Sequence, residues 1–189
     1  MKVVWHLFGL VWLFALAGCD EQVPPPPPAA LDRTAQGFFC GMIVADHKGP
    51  KAQIHLEDRP TPIWFTSVRD AVAYLRMPEG GPRITGVYVH DMARAQSWEN
   101  PGDDAWVPAE DAIYVIGSSR RGGMGALETV PFSDRTKAQA FVKEHGGQIV
   151  ALGDIPESYI LGTGAEENAL SPRNEPQRPQ PNSEKRKSQ

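Results

Sequence analysis

The chain has 189 residues, 41% hydrophobic and 22% charged, with 18 prolines and two cysteines. Its 19 basic residues face 23 acidic ones for a formal charge of −4, so no basic face calls for nucleic acid as a partner. That composition supplies enough apolar side chains for one compact unit or two small ones.

The N-terminus settles the compartment. Met1 and Lys2 make a short positive start, Val3 to Leu16 is almost wholly apolar, and Leu16-Ala17-Gly18-Cys19 closes the run with small residues before a cysteine. This is a signal-peptide pattern, and about 14 apolar residues is short against the ~20 that a membrane-crossing helix needs. The ending resembles a bacterial lipobox, which implies cleavage before Cys19 and lipid on its sulfur, with residues 1–18 removed; an uncleaved anchor is the alternative. Either way, residues 20 onward lie outside the cytoplasm. Loss of Lys2 leaves 18 basic residues against 23 acidic ones, a charge near −5. Residues 19–35 then read as a lipidated cysteine and a proline-rich tether, since Val23 to Ala30 ("VPPPPPAA") favours an extended polyproline spacer.

The central region predicts two similar units, 36–96 and 97–164. "FTSVRDAVAYL" (Phe65 to Leu75) and "FSDRTKAQAFV" (Phe132 to Val142) align without gaps. Val68, Ala71, Val72 and Leu75 fall at helical spacing in the first copy, with Ser67 and Asp70 as a capping box. Ala138, Phe141 and Val142 face inward in the second, with Asp134 as N-cap. Strand-like runs flank both: Phe38–Val44, Ala52–Glu57 and Arg83–His90 around the first, Ala112–Gly117, Ala126–Val130 and Gln148–Leu152 around the second. The fold class is therefore α+β, two tandem ββαβ repeats with small antiparallel sheets. Residues 165–189, polar and without apolar periodicity, read as a disordered tail, so residues 36–164 are expected to fold alone.

With Cys19 lipidated, Cys40 has no partner, and an unpaired thiol in an oxidising compartment is a liability. Three readings compete: a buried core residue, a nucleophile with His47 or His55 as base, and a metal ligand. Two residues apart on a strand, Cys40 and Met42 would share one face. Thiolate and thioether are soft donors that select Cu(I). Met124 in "RRGGMGALE" sits among Gly122, Gly123 and Gly125 with little to pack against, a third sulfur on a loop of low bulk. His90 and Met92 in "VYVHDM" could complete the sphere or cap a strand end, whereas His47, His55 and His145 read as surface residues.

Taken together, "CGM", "FTSVRDAVAYL", "VYVHDM" followed by "WENP", "YVIGS", "GGMGALETVPF" and "GGQIVALGDIP" resemble the NosL family, the nitrous-oxide reductase accessory lipoproteins, from about Gly37 to Ile160. The resemblance implies a periplasmic, lipid-anchored Cu(I) chaperone for the copper centres of nitrous-oxide reductase. It also implies an ABC-type maturation complex in the inner membrane as partner, and a fold similar to organomercurial lyases. Asp20 resembles an inner-membrane retention signal. Those lyases use a pair of active-site cysteines where the mature domain offers Cys40 alone, which disfavours a carbon–mercury lyase; a thiol-dependent enzyme with Cys40 as nucleophile is the alternative function. As copper ligands, Cys40 would supply the charge and Met42 and Met124 the neutral thioethers.

Overall fold

The computed structural model describes residues 24–77 and 81–162. The expectations for the signal segment, Cys19, Asp20 and the tail beyond 165 lie outside the described residues. None of the helices among the described residues is long and apolar enough to cross a membrane.

The fold is α+β, built from two small antiparallel sheets. In chain order it runs β1 (Ala52–Leu56), β2 (Ile63–Phe65), α1 (Val68–Leu75), β3 (Ile84–His90), β4 (Trp106–Pro108), β5 (Ile113–Ile116), β6 (Val130–Phe132), α2 (Arg135–His145), β7 (Gln148–Val150) and α3 (Glu157–Leu161). The first sheet has the order β2-β1-β3-β4 and the second β6-β5-β7. Each therefore puts the first strand of a ββαβ unit in the middle, its hairpin partner on one side and the post-helix strand on the other. β4 lies beyond residue 96 in sequence yet extends the first sheet, pairing His90 with Trp106.

The expected helices form with the expected inner faces. Val68, Ala71 and Val72 of α1 are buried in the main core, which also takes Tyr114, Ile116 and Leu127 from the second unit. Ala138 of α2 is buried beside Phe132 and Val130. Asp134 caps α2 by accepting a hydrogen bond from the Lys137 amide at 2.9 Å, as its place ahead of the apolar run predicts. The capping box expected at Ser67 and Asp70 does not form: Ser67 makes no side-chain cap, and its hydroxyl turns to Glu128 at 3.0 Å.

Two strand expectations are corrected, and two strands were not expected. Residues 126–130 are extended only at their end, and the strand there is Val130–Phe132. β2 and β4 were unanticipated, each three residues long, too short for alternation to show. Residues 38–44 are not a strand. They form a turn, with the Gly41 amide donating to the Gly37 carbonyl at 2.7 Å and Gly41 at φ +66, a conformation that glycine alone enters freely. Phe38 and Phe39 show why the turn wins. Both rings pack on Phe65, at 5.9 and 5.6 Å between centroids, whereas neighbours in a strand would point to opposite faces.

The tether expectation is also corrected, for residues 24–35. Ala29, Leu31 and Ala35 cover Trp64, Tyr88 and Trp106 on the outer face of the first sheet. Ala29 exchanges two hydrogen bonds with the buried Gln53 side chain, at 2.7 and 2.9 Å, and Tyr88 Oη donates to the Pro26 carbonyl at 2.7 Å. The proline segment is a docked arm, because a sheet with both faces apolar needs a cover on each.

Candidate metal centre

Cys40 lies in the turn beside the free edge of β2, where the Phe38 amide donates to the Trp64 carbonyl at 2.7 Å. Its thiol is half-buried, and Sγ stands 3.7 Å from Thr66 Oγ1, just past the end of β2. A Cβ built on Gly37 would come within 2.6 Å of that sulfur, so the turn closes tightly around it. Cys40 and Met42 are neighbours across a turn and not on one strand face, which corrects the geometry expected of them. Met42 is 40% exposed.

Met124 stands at the tip of a hairpin whose arms meet at Arg121 and Leu127. The Gly122 amide bonds to the Ala126 carbonyl at 3.0 Å, and the Gly125 amide to the Gly122 carbonyl at 2.9 Å. At 50% exposure the Met124 side chain has almost no apolar packing to explain it. The glycines serve close approach. A Cβ on Gly123 would fall 2.5 Å from His47 Cβ, and one on Gly122 2.5 Å from Glu128 Oε2. The hairpin is thus pressed between the segment that follows Met42 and the buried Glu128.

Glu128 joins the root of the Met124 hairpin to the start of α1. It is fully buried, and its Oε1 accepts from Ser67 Oγ at 3.0 Å, the Arg69 amide at 3.2 Å and the Thr129 amide at 2.9 Å. Ser67 follows Thr66, the residue that touches Cys40. Burial pushes this carboxyl up to about 7, against the pull of the three donors and with a further push from Asp70.

His90 and Met92 are held elsewhere. His90 is 1% exposed and lies tilted against Trp106, ring centroids 3.9 Å apart, with Nδ1 accepting from the Lys51 amide at 3.2 Å. Lys51 occupies β1's place in the register between Thr66 and His90, which puts His90 two strand spacings, about 10 Å, from the strand beside Cys40. Met92 packs into the second unit's core with Trp98 and Phe132. The expectation of surface histidines is corrected for His55, which is buried and bonds Gln53 Oε1 through Nε2 at 3.0 Å. Sequence reading passed over Glu128 and Asp91. Asp91 is fully buried and accepts from the Ser133 amide and hydroxyl at 2.9 and 2.6 Å, tying the first unit to the second. A charged residue inside an apolar stretch, "ALETV" or "VHDM", is the signal that could have found them.

His90 yields a pH prediction. Burial, and secondarily the charge on Lys51, hold the imidazole down to about 3 from an ordinary 6.5. A depressed folded value means stability that is complete above pH 6.5 and drains away as pH falls towards 3. Glu128 runs the other way, its contribution present below 4.5 and lost as pH rises through 7. Between pH 4.5 and 3 His90 contributes a fall of about 1.4 kcal/mol for each pH unit, added to losses from Asp91 and Glu57, whose carboxyls hydrogen bonds hold below their ordinary values. Denaturant unfolding from pH 6.5 to 3 should show this acid limb, flattened in His90→Gln; an equally steep limb in the variant would assign it to other groups.

Among the described residues, no three His, Cys, Asp or Glu side chains gather to hold a metal ion. Cys40 is half-buried and Met42 and Met124 are exposed, each on a loop, and thiol and thioether are donors suited to a soft monovalent ion. The NosL family model matches residues 28–160. The chain is 47% identical over 162 residues to the copper-binding lipoprotein NosL of Achromobacter cycloclastes, covering 83% of this chain and 84% of that one. It is 32% identical over 157 residues to the copper-binding lipoprotein NosL of Stutzerimonas stutzeri, covering 82% and 80%. The crystal structure of the copper chaperone NosL from Shewanella denitrificans superimposes with a TM-score of 0.66 at 32% identity, over 71% of this chain and 99% of that one.

Proposed function

Since the chain belongs to the NosL family, we propose that it is a lipid-anchored Cu(I) metallochaperone supplying copper for maturation of the copper centres of nitrous-oxide reductase. The observation that carries this reading is a thiol and two exposed thioethers on loops anchored to one short segment: Thr66 lies against Cys40, and the next residue, Ser67, bonds the Glu128 at the root of the Met124 hairpin. Cys40 supplies the one anionic sulfur; Met42 and Met124 close over the ion as neutral donors.

A carrier must hold copper tightly and still release it. Thioethers at 40% and 50% exposure leave room for a partner to add a ligand before the donor loses one, so transfer proceeds by exchange without free ion. The family implies an ABC-type maturation complex as the acceptor. Lipid on Cys19 would hold the protein at the periplasmic face of a membrane, with Asp20 favouring the inner one. The enzyme alternative is the weaker reading, because the Cys40 thiol pairs with the Thr66 hydroxyl, which cannot act as the base that a thiol nucleophile needs.

Anaerobic Cu(I) titration of the full chain against a competing chelator tests the site. Met42→Leu and Met124→Leu should each weaken binding by about tenfold or more, and both should stay folded, because leucine keeps the volume and loses the donor. Parent-like affinity in Met124→Leu would make the hairpin a partner contact and remove it from the ligand set. The anchor is tested separately: Cys19→Ser should shift the protein from membrane to soluble fractions. An uncleaved Cys19→Ser protein that stays in the membrane would show that the apolar run is itself the anchor.

A further inference from the structure

We propose that Glu128 is a positioning residue for the copper site: its carboxylate ties the root of the Met124 hairpin to the segment that holds Cys40, and so sets where the thioether stands relative to the thiol. The proposal rests on the reading of Cys40 and Met124 as ligands and goes beyond it to the group that brings them together.

The geometry is that of a cap taken from a distant part of the chain. Ser67 stands at the N-cap of α1 but makes no cap bond of its own. The first turn is served instead by Glu128, whose Oε1 accepts from the Arg69 amide and from Ser67 Oγ, across separations of 59 and 61 residues. A serine at that place could satisfy the helix locally. Using a carboxylate from the second unit adds nothing the helix lacks; what it adds is a tie between two loops.

Both oxygens of Glu128 take part. Oε1 holds the helix start, while Oε2, buried and without a hydrogen-bond partner among the described residues, lies against Gly122, where a Cβ would sit 2.5 Å away. Gly122 can approach only because it has no side chain. The backbone of Glu128 is fixed in turn by Tyr159, whose hydroxyl donates to its carbonyl at 2.8 Å. From Cys40 the connection runs through Thr66 and Ser67 to Glu128 and Gly122, two residues short of Met124. On its other side the hairpin meets His47 at Gly123. A loop holding three glycines within four residues would otherwise range widely, and the ordering entropy would be charged against copper affinity.

The test is a double-mutant cycle on the full chain, read by anaerobic Cu(I) competition with folding checked by circular dichroism. Glu128→Ala should lower affinity by about 10–100-fold, the range of outer-shell losses at metal sites. Glu128→Gln should stay within about fivefold of the parent, since an amide oxygen accepts from the same donors through weaker, uncharged bonds. In the Met124→Leu background, Glu128→Ala should cost nothing further, because its effect acts through Met124. If Glu128→Ala does not fold, Ser67→Ala, which removes one donor, runs the same cycle with a loss of about threefold to fivefold. Parent-like affinity in folded Glu128→Ala, or an equal loss in both backgrounds, overturns the positioning role while leaving the ligand set standing. A parent-like Met124→Leu overturns the ligand set and this role with it.

Discussion

Cys40→Ser should abolish most Cu(I) binding, a loss larger than the roughly 100-fold that outer-shell substitutions reach at metal sites. The reason is charge as well as softness. Among the proposed ligands only the cysteine becomes an anion, and the two thioethers cannot neutralise the ion by themselves. Serine oxygen is hard and keeps its proton, so it offers neither property. The fold should be unaffected. Serine is smaller than cysteine in a turn where the sulfur already lies 2.6 Å from a Cβ position on Gly37, and its hydroxyl can pair with Thr66 as the thiol does. Chelator competition would measure the loss and thermal unfolding would control for structure. Parent-like binding by a folded Cys40→Ser would end the copper-thiolate reading.

A chain beginning at residue 36 should melt about 10 °C below one beginning at residue 24. Deletion removes the two hydrogen bonds between Ala29 and Gln53 and the one from Tyr88 to Pro26, at about 1 kcal/mol net apiece. It also uncovers the Trp64, Tyr88 and Trp106 face, for a further ~2 kcal/mol of lost burial under Leu31 and the alanines. The deleted arm's ordering entropy returns part of this and leaves a net loss of about 3 kcal/mol, which at this size is about 10 °C. Calorimetry of the two chains decides the matter. A difference within about 3 °C would mean that the arm rests on the sheet without supporting it, and would restore the expectation that residues 36–164 fold alone.

How legible the molecule is from its sequence varies with how local the determining physics is. Both main helices are legible because their inner faces recur at helical spacing and Asp134 acts within its own turn. The longer strands, β1 and β3, are legible for the same reason. The polyproline arm misled, because its backbone preference is extended whether it is free or docked. What docks it is distant in the chain: the buried Gln53 side chain 24 residues away, the Tyr88 hydroxyl and the aromatic face beneath Leu31. The turn at residues 37–42 misled similarly. Phe38 to Val44 is rich in strand-forming residues, but both phenylalanines are drawn to Phe65 and Gly41 allows the chain to fold back.

The amino-acid sequence by itself determined the α+β class, both main helices, the family, and the three sulfurs Cys40, Met42 and Met124 as the soft donors worth considering, because residue type, spacing and helical period are properties of short segments. Only the tertiary structure decided where each donor stands. It placed the Met124 hairpin against His47 and Glu128 and Cys40 against Thr66, and it sent His90 against Trp106 and Met92 into the second core. Those outcomes depend on pairing register and on burial between segments some 60 residues apart. A buried carboxylate there must find its donors wherever the fold brings them, and no local pattern in the chain records where that is.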